Sequence, residues 1–376
     1  MKIKSRLFKA IKDQLFLGRD LFRRRLARML FDKKSNFTKQ DCSISRCNGK
    51  RFLVIRWDAK LGDSIVCSWL YREIKKENEN NQLVVVCNSN TQKLYEDIWG
   101  GDVFVVKKRP SYRELRLLAE KIGLVDYTIH FGEQLKMRDI YFLSKLSTSF
   151  IAGMDDDLDL INIKLGQVTS EKHFSEKFVC FFNRIGYLNI DTKYIIPAFP
   201  LVEDKISSYR WPQKSNTICF NPYGSGSSRR MDSGMIISLC DMMLRETCFS
   251  ILLLGMRDQV NEIEDLVART IEPERIFCLP PEDISIESLF SQLRMSVGLV
   301  SVDTATIHIA SGLNLPTLAI YNSKSGEADQ NFLNWHPNNE RADVFFTKDF
   351  DGRGVNSLSV DDFESRFKQW VTQFLS

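Results

Sequence analysis

Short apolar runs alternate along most of the chain with segments whose apolar residues recur at helical spacing. Phe52–Ile55 and the run LVVVC at 83–87 have the pattern of buried strands, and between them apolar residues fall at positions 65, 66, 69, 70 and 74. Strands that alternate with helices predict a parallel, doubly wound α/β sheet. The folded part of the chain is therefore expected to open with a strand–turn–helix unit at 51–76.

The same alternation continues in two blocks. The first block has further expected strands and helices at 102–107, 111–122, 126–131, 149–155 and 171–186. In the second block a strand and turn at 217–226 precede the segments 235–244, 250–256, 275–280, 286–294 and 297–322, and a helix with one apolar face ends the chain. Two such blocks are expected to leave a ligand cleft at the carboxyl ends of their strands.

These blocks predict two Rossmann-like domains preceded by an arm. The predicted limits are 1–50 for the N-terminal arm, 51–195 for the first domain, 196–205 for a linker that contains two prolines, 206–355 for the second domain and 356–376 for the C-terminal helix.

Size and composition agree with two globular domains. The chain has 376 residues, of which 43% are hydrophobic and 27% charged, enough for two ordinary cores. It has neither a run of roughly 20 apolar residues that would span a bilayer nor the apolar core of a signal peptide. The nine cysteines are scattered, which favours buried thiols in a reducing cytosol. Cys42 and Cys47 lack the second pair that a zinc site would need.

Charge is concentrated at the N-terminus. Residues 1–40 hold 13 Lys and Arg against three Asp, a net charge of +10, so the rest of the chain sums to −6 because the whole carries +4. Apolar residues recur at helical spacing in this arm at Phe8, Ile11, Leu15, Phe22, Leu26 and Met29. A cationic amphipathic helix predicts binding to an anionic membrane surface. The alternatives are a helix packed on the body with a solvated basic face, or nucleic-acid binding, for which the body has no recognition module. We predict no nucleic-acid partner.

A glycine- and serine-rich turn follows the first strand of the second block. In NPYGSGSSRRMD (221–232), Gly224, Ser225 and Gly226 would present amide and hydroxyl donors, and Arg229 and Arg230 add two cations. Backbone amides, a helix N-terminus and guanidinium groups together predict a diphosphate cradle. The alternative is a plain turn before a helix.

Another candidate lies at the strand–helix junction SVDTATIHIASG (301–312). Asp303 and Thr304 stand where a helix begins and can be simple caps. His308 lies five residues after Asp303, and a single helical histidine is more often a core residue than a functional one.

Acidic residues occupy the opening turn, where a nucleotide-binding fold usually has a glycine-rich phosphate loop. DAKLGDS (58–64) contains one glycine and the acids Asp58 and Asp63, which would repel phosphate. The cluster MDDDLD (154–159) contains an Asp-x-Asp pattern, but acidic clusters are common in turns. The four histidines show no zinc-ligand spacing, so we expect neither a metal nor a cofactor.

Taken in order, three stretches resemble the motifs of the family 9 glycosyltransferases, the bacterial lipopolysaccharide heptosyltransferases. DAKLGDS resembles their Arg-x-Asp-x-x-Gly-Asp turn, NPYGSGSSRRMD resembles a Gly-Ala-Ser…Lys-Arg-Trp-Pro loop, and DTATIHIASGLNLPTLAIY (303–321) resembles an Asp-Thr-Gly-x-x-His motif with a later proline. The resemblance covers about residues 51–376. It is strongest for the fourth type of core heptosyltransferase, with which the chain shares the basic arm and the ending IYNSKSGE…WHPNN (320–339).

The resemblance implies a GT-B fold and metal-independent transfer of a heptose from ADP-heptose to the lipopolysaccharide core, with inversion at the anomeric carbon. It implies that the first domain binds mainly the acceptor and the second mainly the donor. By position, Asp63 would be the general base. Arg229, Arg230, Asp303, Thr304 and His308 would bind the donor. Ala305 stands in place of the family's glycine, and Met231 and Asp232 stand in place of its Trp-Pro pair.

Lys60, Glu133 and Lys136 are candidate acceptor-binding residues. Two alternative functions remain open: the same reaction with another nucleotide sugar, such as a hexosamine donor, or a non-catalytic nucleotide-binding scaffold of the cell envelope.

Overall fold

The computed structural model describes residues 18–33, 49–58, 60–209 and 216–375. The remaining arm residues, 1–17 and 34–48, lie outside the described residues, and the Cys42–Cys47 pair lies there with them.

Strands and helices alternate through most of the chain, as predicted. The strands are β1 (Arg51–Arg56), β2 (Gln82–Cys87), β3 (Asp102–Val105), β4 (Leu124–His130), β5 (Ser147–Gly153), β6 (Ile163–Lys164), β7 (Thr217–Asn221), β8 (Ser250–Leu253), β9 (Ile276–Phe277), β10 (Gly298–Val302), β11 (Thr317–Tyr321) and β12 (Ala342–Phe346). The helices are α1 (18–31), α2 (Leu61–Val66), α3 (Leu70–Glu77), α4 (Gln92–Trp99), α5 (Tyr112–Ile122), α6 (Met137–Lys145), α7 (Phe174–Arg184), α8 (Pro200–Ser208), α9 (Ser233–Glu246), α10 (Val260–Val267), α11 (Ile286–Arg294), α12 (Ala305–Gly312), α13 (Gln330–Trp335) and α14 (Val360–Phe374).

The strands form two six-stranded parallel sheets with the same topology. Their orders are β3-β2-β1-β4-β5-β6 and β12-β11-β10-β7-β8-β9. Counted from its own first strand, each sheet has the order 3-2-1-4-5-6, which is the Rossmann arrangement. The predicted fold class, two Rossmann-like doubly wound sheets, is confirmed.

Internal contacts divide the chain into two compact units. One unit contains the described residues up to 58 together with Leu70–Thr192, and the other contains Lys60–Trp69 with the described residues from Lys193 onward. The turn that carries Asp63 therefore groups with the second unit, although the sequence suggested that it belongs to the first domain.

Each unit has its own apolar core. In the first unit the central strand β1 is buried from Phe52 to Arg56, as expected for a parallel strand covered on both faces. Leu53, Ile55, Val84 and Val86 form one core cluster with residues of the flanking helices, and Ala27 of α1 belongs to the same cluster. The second core joins β7, β8, β10 and β11 to α9 and to Phe363, Phe367 and Trp370 of α14.

The segment predicted as a linker contains a helix. Helix α8 begins at Pro200, which occupies its first turn. A proline at this position costs no hydrogen bond, because the amide groups of the first turn have no partner within the helix, and its fixed φ suits the helix. The proline that suggested a linker therefore starts a helix.

Within the described residues no helix has the length and apolar character needed to cross a membrane.

Candidate functional site

The candidate base lies at the start of a short helix. Strand β1 ends at Arg56, and α2 begins at Leu61 with Asp63 in its first turn. Oδ2 of Asp63 accepts a hydrogen bond from the backbone N–H of Lys60 at 2.8 Å. Asp63 therefore satisfies one of the amide groups left open at a helix start, which fixes the position of its carboxylate.

Helix α2 packs directly on α12 within the second unit. A β-carbon added to Gly62 would lie 3.0 Å from Cδ2 of His308 and 3.3 Å from Cα of Ala305. The absence of a side chain at Gly62 therefore allows the turn that carries Asp63 to approach His308.

His308 is buried, and its Nδ1 has no hydrogen-bond partner among the described residues. Burial lowers the pKa of His308, and the negative charges of Asp303 and Asp63 only partly oppose this effect. Burial therefore favours the neutral imidazole, against the opposing charges of two acidic residues that sequence analysis placed in separate motifs.

The glycine-rich turn 222–230 folds on itself by hydrogen bonds. The N–H of Gly224 donates to the carbonyl of Arg229 at 2.8 Å, and the N–H of Gly226 donates to the carbonyl of Gly224 at 2.9 Å. A β-carbon on Gly224 would lie 2.5 Å from the carbonyl oxygen and from Cβ of Arg229, so only glycine fits there. These two amides, which the sequence suggested as diphosphate donors, are used inside the turn.

The Arg229 side chain joins the two predicted donor-binding motifs. Its Nη1 lies 2.9 Å from Oδ2 of Asp303, and its Nη2 donates to Oγ of Ser225 at 3.0 Å. Nζ of Lys60 donates to the same Oγ at 3.4 Å. Two cationic side chains thus contact one serine hydroxyl, and charged donors of this kind form strong hydrogen bonds with anionic oxygens.

The strand order of the second sheet explains why the turn 222–230 lies close to Asp303. In the second sheet β7 and β10 are neighbours at the place where the strand order reverses, and ligands of open α/β sheets bind at the carboxyl ends of such strands. The turn 222–230 follows β7, and Asp303 directly follows β10.

Arg230 does not share the environment of Arg229. Its Nη2 lies 3.3 Å from Oε2 of Glu262, and its guanidinium carbon lies 5.3 Å from the centre of the Tyr223 ring. Of the two arginines, only Arg229 pairs with Asp303 in the described structure.

Thr304 is the N-cap residue of α12, but its side chain makes no capping hydrogen bond. Its Oγ1 accepts from Nδ2 of Asn221 at 2.9 Å and lies 2.6 Å from Oγ1 of Thr306. The alternative in which Asp303 and Thr304 serve only as helix caps therefore does not describe their contacts.

Sequence analysis missed two residues of this site. Nδ2 of Asn331 donates to Oδ2 of Asp303 at 3.1 Å, and Asn221 holds Thr304 and Thr306. The position of Asn221, as the last residue of β7, is a signal that could have identified it. Asn331 carries no such signal, because its place beside Asp303 depends on how α13 packs.

The three candidate acceptor residues fall in two units. Lys60 belongs to the second unit, whereas Glu133 and Lys136 belong to the first. The N–H of Lys136 donates to Oδ2 of Asp139 at 2.8 Å at the start of α6. Oε1 of Glu133 lies 3.9 Å from Nζ of Lys177.

The Asp-x-Asp cluster at 154–159 has structural contacts. Asp155 pairs with Arg24 of α1 and accepts from the N–H of Leu135 at 2.8 Å. Asp156 accepts from the amides of Gly166 and Gln167, each at 2.9 Å. Across the described ranges, no group of three or more His, Cys, Asp or Glu side chains is arranged to hold a metal ion.

Comparison with known proteins identifies a relative by sequence. No protein-family model matches the chain. A protein of Escherichia coli K12, provisionally named lipopolysaccharide heptosyltransferase 4, is 24% identical over 306 residues, which cover 78% of this chain and 80% of that protein.

Solved structures with the same fold include several glycosyltransferases. A family 9 glycosyltransferase from Veillonella parvula superposes with a TM-score of 0.68 at 15% identity, covering 86% of this chain and 97% of that one. The Escherichia coli ADP-heptose lipopolysaccharide heptosyltransferase II gives a TM-score of 0.64 at 14% identity, covering 87% of this chain and 100% of that one. An Escherichia coli heptosyltransferase solved with ADP gives 0.61 at 14% identity, covering 85% and 99%. These comparisons confirm the resemblance to the family 9 glycosyltransferases and the GT-B fold that it implies.

Proposed function

We propose that the chain is an inverting, metal-independent glycosyltransferase that transfers a heptose from ADP-heptose to a hydroxyl group of the lipopolysaccharide core. The observation that carries this proposal is that the side chains of Lys60 and Arg229 both contact Oγ of Ser225. Lys60 lies three residues before Asp63 in the chain. A cationic site for a leaving diphosphate and a candidate base thus belong to one compact unit. The names of the similar Escherichia coli proteins support heptose as the sugar.

In the proposed reaction, the carboxylate of Asp63 takes the proton of the attacking acceptor hydroxyl. A bond forms between that oxygen and the anomeric carbon while the bond from this carbon to the diphosphate oxygen breaks, so the configuration inverts. A positioned base contributes typically 10²–10⁴-fold to such a step.

The charge of the departing nucleoside diphosphate would be stabilised by Arg229 and Lys60. Asp303 holds one nitrogen of the Arg229 guanidinium and leaves the other directed at Ser225. A cation fixed in advance stabilises developing charge without reorganising during the reaction. Asp303 acts here through Arg229, as a positioning residue.

The test combines purified full-length protein with a truncated core acceptor and, in separate reactions, ADP-heptose or a nucleotide-linked hexosamine. We expect release of ADP that depends on the acceptor, an inverted linkage by NMR of the product, and no loss of rate in EDTA. Release of another nucleotide would favour the hexosamine alternative. Nucleotide binding without turnover of any donor would favour the scaffold.

We further propose that the protein associates peripherally with the cytoplasmic face of the inner membrane through α1. One face of this helix packs on the rest of the first unit, where Ala27 is buried and Arg24 pairs with Asp155. On other faces Phe22 and Met29 are 67% and 72% exposed, and Arg25 is exposed beside them. Exposed apolar residues flanked by arginine suit the boundary of an anionic leaflet. Packing on the body and membrane binding, which sequence analysis treated as alternatives, therefore use different faces.

A further inference from the structure

The first sheet has its own reversal of strand order, between β1 and β4. Strand β1 ends with Arg56 and β4 ends with His130, so these residues mark the carboxyl ends at that point. The equivalent position of the second sheet holds the Arg229–Asp303 pair. The same rule places a ligand crevice of the first unit outside Arg56 and His130.

Two buried cations share one aromatic ring at this place. The guanidinium carbon of Arg56 lies 5.1 Å from the centre of the Phe174 ring, and Nζ of Lys177 lies 5.9 Å from the same centre. Phe131 and Phe178 pack around Phe174, with ring centres 6.3 and 5.8 Å from it. The wall that holds the two cations is therefore apolar.

The charge of Lys177 is only partly compensated within the described part of the chain. Its side chain is 2% exposed, yet Nζ forms an ion pair at 3.9 Å, beyond hydrogen-bond distance, with Glu133, whose side chain is 72% exposed. Burial lowers the pKa of Lys177 and Glu133 only partly opposes this. A buried ammonium group is costly unless it is paired and hydrogen-bonded.

The neighbouring acid at the same edge is already engaged. Oδ1 of Asp139 lies 3.2 Å from Nε2 of His130, and its Oδ2 accepts from the N–H of Lys136. Asp139 thus pairs with the end of β4 and with the start of α6. Glu133 is left as the acid that pairs with Lys177, and its exposure leaves it room to move away.

We propose that this crevice is an anion-binding subsite, in which a phosphate or carboxylate group of a sugar ligand replaces Glu133 beside Lys177 and Arg56. The proposal rests on the proposed function in one respect, that the first unit receives the acceptor sugar. Glu133 then acts as a substitute anion in the absence of ligand. Sequence analysis grouped it with the residues that bind the acceptor directly.

The probes are mannose 6-phosphate, galacturonate and neutral mannose, each titrated into the full-length protein and followed by saturation-transfer NMR. We expect at least one anionic sugar to bind tenfold or more tightly than mannose. Whichever of the two binds more tightly identifies phosphate or carboxylate as the preferred group. Equal binding of all three sugars would overturn the proposal.

Two substitutions give effects of opposite sign. Lys177→Met keeps the length of the side chain and removes its charge. It should therefore weaken binding of the anionic sugar at least tenfold without lowering the melting temperature. Glu133→Gln removes the competing carboxylate and should tighten binding several-fold. The matched control is Lys172→Met, an exposed lysine just before α7, which should leave the affinity unchanged.

An unchanged affinity in Lys177→Met, or weaker binding in Glu133→Gln, would overturn the subsite. The exposed Glu133 variant decides the question if Lys177→Met does not fold. Failure of the proposed function can be distinguished from failure of the subsite. In that case ADP-heptose would give no transfer product, but the anionic sugar would still bind.

Discussion

Oδ2 of Asp303 accepts hydrogen bonds from Arg229 at 2.9 Å and from Asn331 at 3.1 Å. Asp303 is buried and Arg229 is partly exposed, so the carboxylate is anchored and the guanidinium reaches toward solvent. The second nitrogen of Arg229 extends to Ser225. Anchoring of this kind orients one cation of the proposed diphosphate site.

Replacement of Arg229 by Gln should weaken ADP binding roughly 10- to 100-fold, since a hydrogen bond to a charged group contributes about 1.5–3 kcal/mol. Isothermal titration calorimetry with ADP measures the change. Arg230→Gln is the matched control, because Arg230 pairs with Glu262. This variant should lose less than about threefold in affinity for ADP. A larger loss for Arg230 than for Arg229 would contradict the site as we describe it.

Asp63→Asn should lower turnover by about 10²-fold or more, the usual contribution of a positioned base. The amide oxygen can still accept from the N–H of Lys60, so the start of α2 and the affinity for ADP should be preserved. Product formation measured at fixed times gives the turnover, and calorimetry gives the affinity for ADP, so the two measurements separate an effect on catalysis from an effect on donor binding.

Asp58→Asn is the control for Asp63, because Asp58 is an exposed acid of the same turn. It should retain nearly full turnover. Near-normal turnover in Asp63→Asn would refute the assignment of the base.

Gly62→Ala should destabilise the second unit by about 1–3 kcal/mol, the usual cost of overpacking, because its β-carbon would lie 3.0 Å from the His308 ring. Alanine in an open helical position would instead stabilise by up to about 1 kcal/mol. Gly234→Ala in α9 tests that expectation, since its nearest contact would be an ordinary 3.5 Å from Asp232. Denaturant unfolding of the two variants should give shifts of opposite sign.

Stability should fall as the pH drops below about 6.5, the ordinary pKa of histidine. Burial lowers the pKa of His308 in the folded state, so below that pH the unfolded chain binds a proton that the folded chain does not. The stabilisation is present above the unfolded pKa and decreases by up to about 1.4 kcal/mol per pH unit. Melting temperatures of the wild type and His308→Phe between pH 5 and 8 measure this. An equally steep decline in His308→Phe would assign the effect to other groups.

Phe22→Glu should reduce binding to anionic vesicles about tenfold, since it places a negative charge on the exposed face of α1. Leu201→Glu is the control, because Leu201 is 85% exposed on α8 in the second unit, and it should bind as the wild type does. Co-sedimentation with phosphatidylserine vesicles and with neutral vesicles measures both. If the protein bound neutral vesicles, or duplex DNA at the same salt concentration, as tightly as anionic vesicles, the proposed binding of α1 to an anionic membrane surface would be contradicted.

Local pattern alone predicted most of the fold. Helix α11 has the predicted limits 286–294, and β1, β2 and α14 lie where continuous apolar runs or a one-sided helical stripe placed them. Such elements are predictable because the burial of each residue follows from the spacing of its neighbours. Helix α8 was missed because a proline that begins a helix and a proline in a linker look alike in sequence.

The order of three motifs in the sequence also predicted the resemblance to the family 9 glycosyltransferases that the comparisons confirm for the chain as a whole. The partners of each residue within those motifs were decided only by tertiary structure. Adjacent Arg229 and Arg230 are equivalent in sequence, but one pairs with Asp303 and the other with Glu262. Nothing in the local sequence of Lys60 indicates its contact with Ser225, and nothing in that of Lys177 indicates that it is buried near the Phe174 ring. These relationships join residues that are distant in the chain, and they depend on which strands are neighbours in each sheet and on how closely the helices pack.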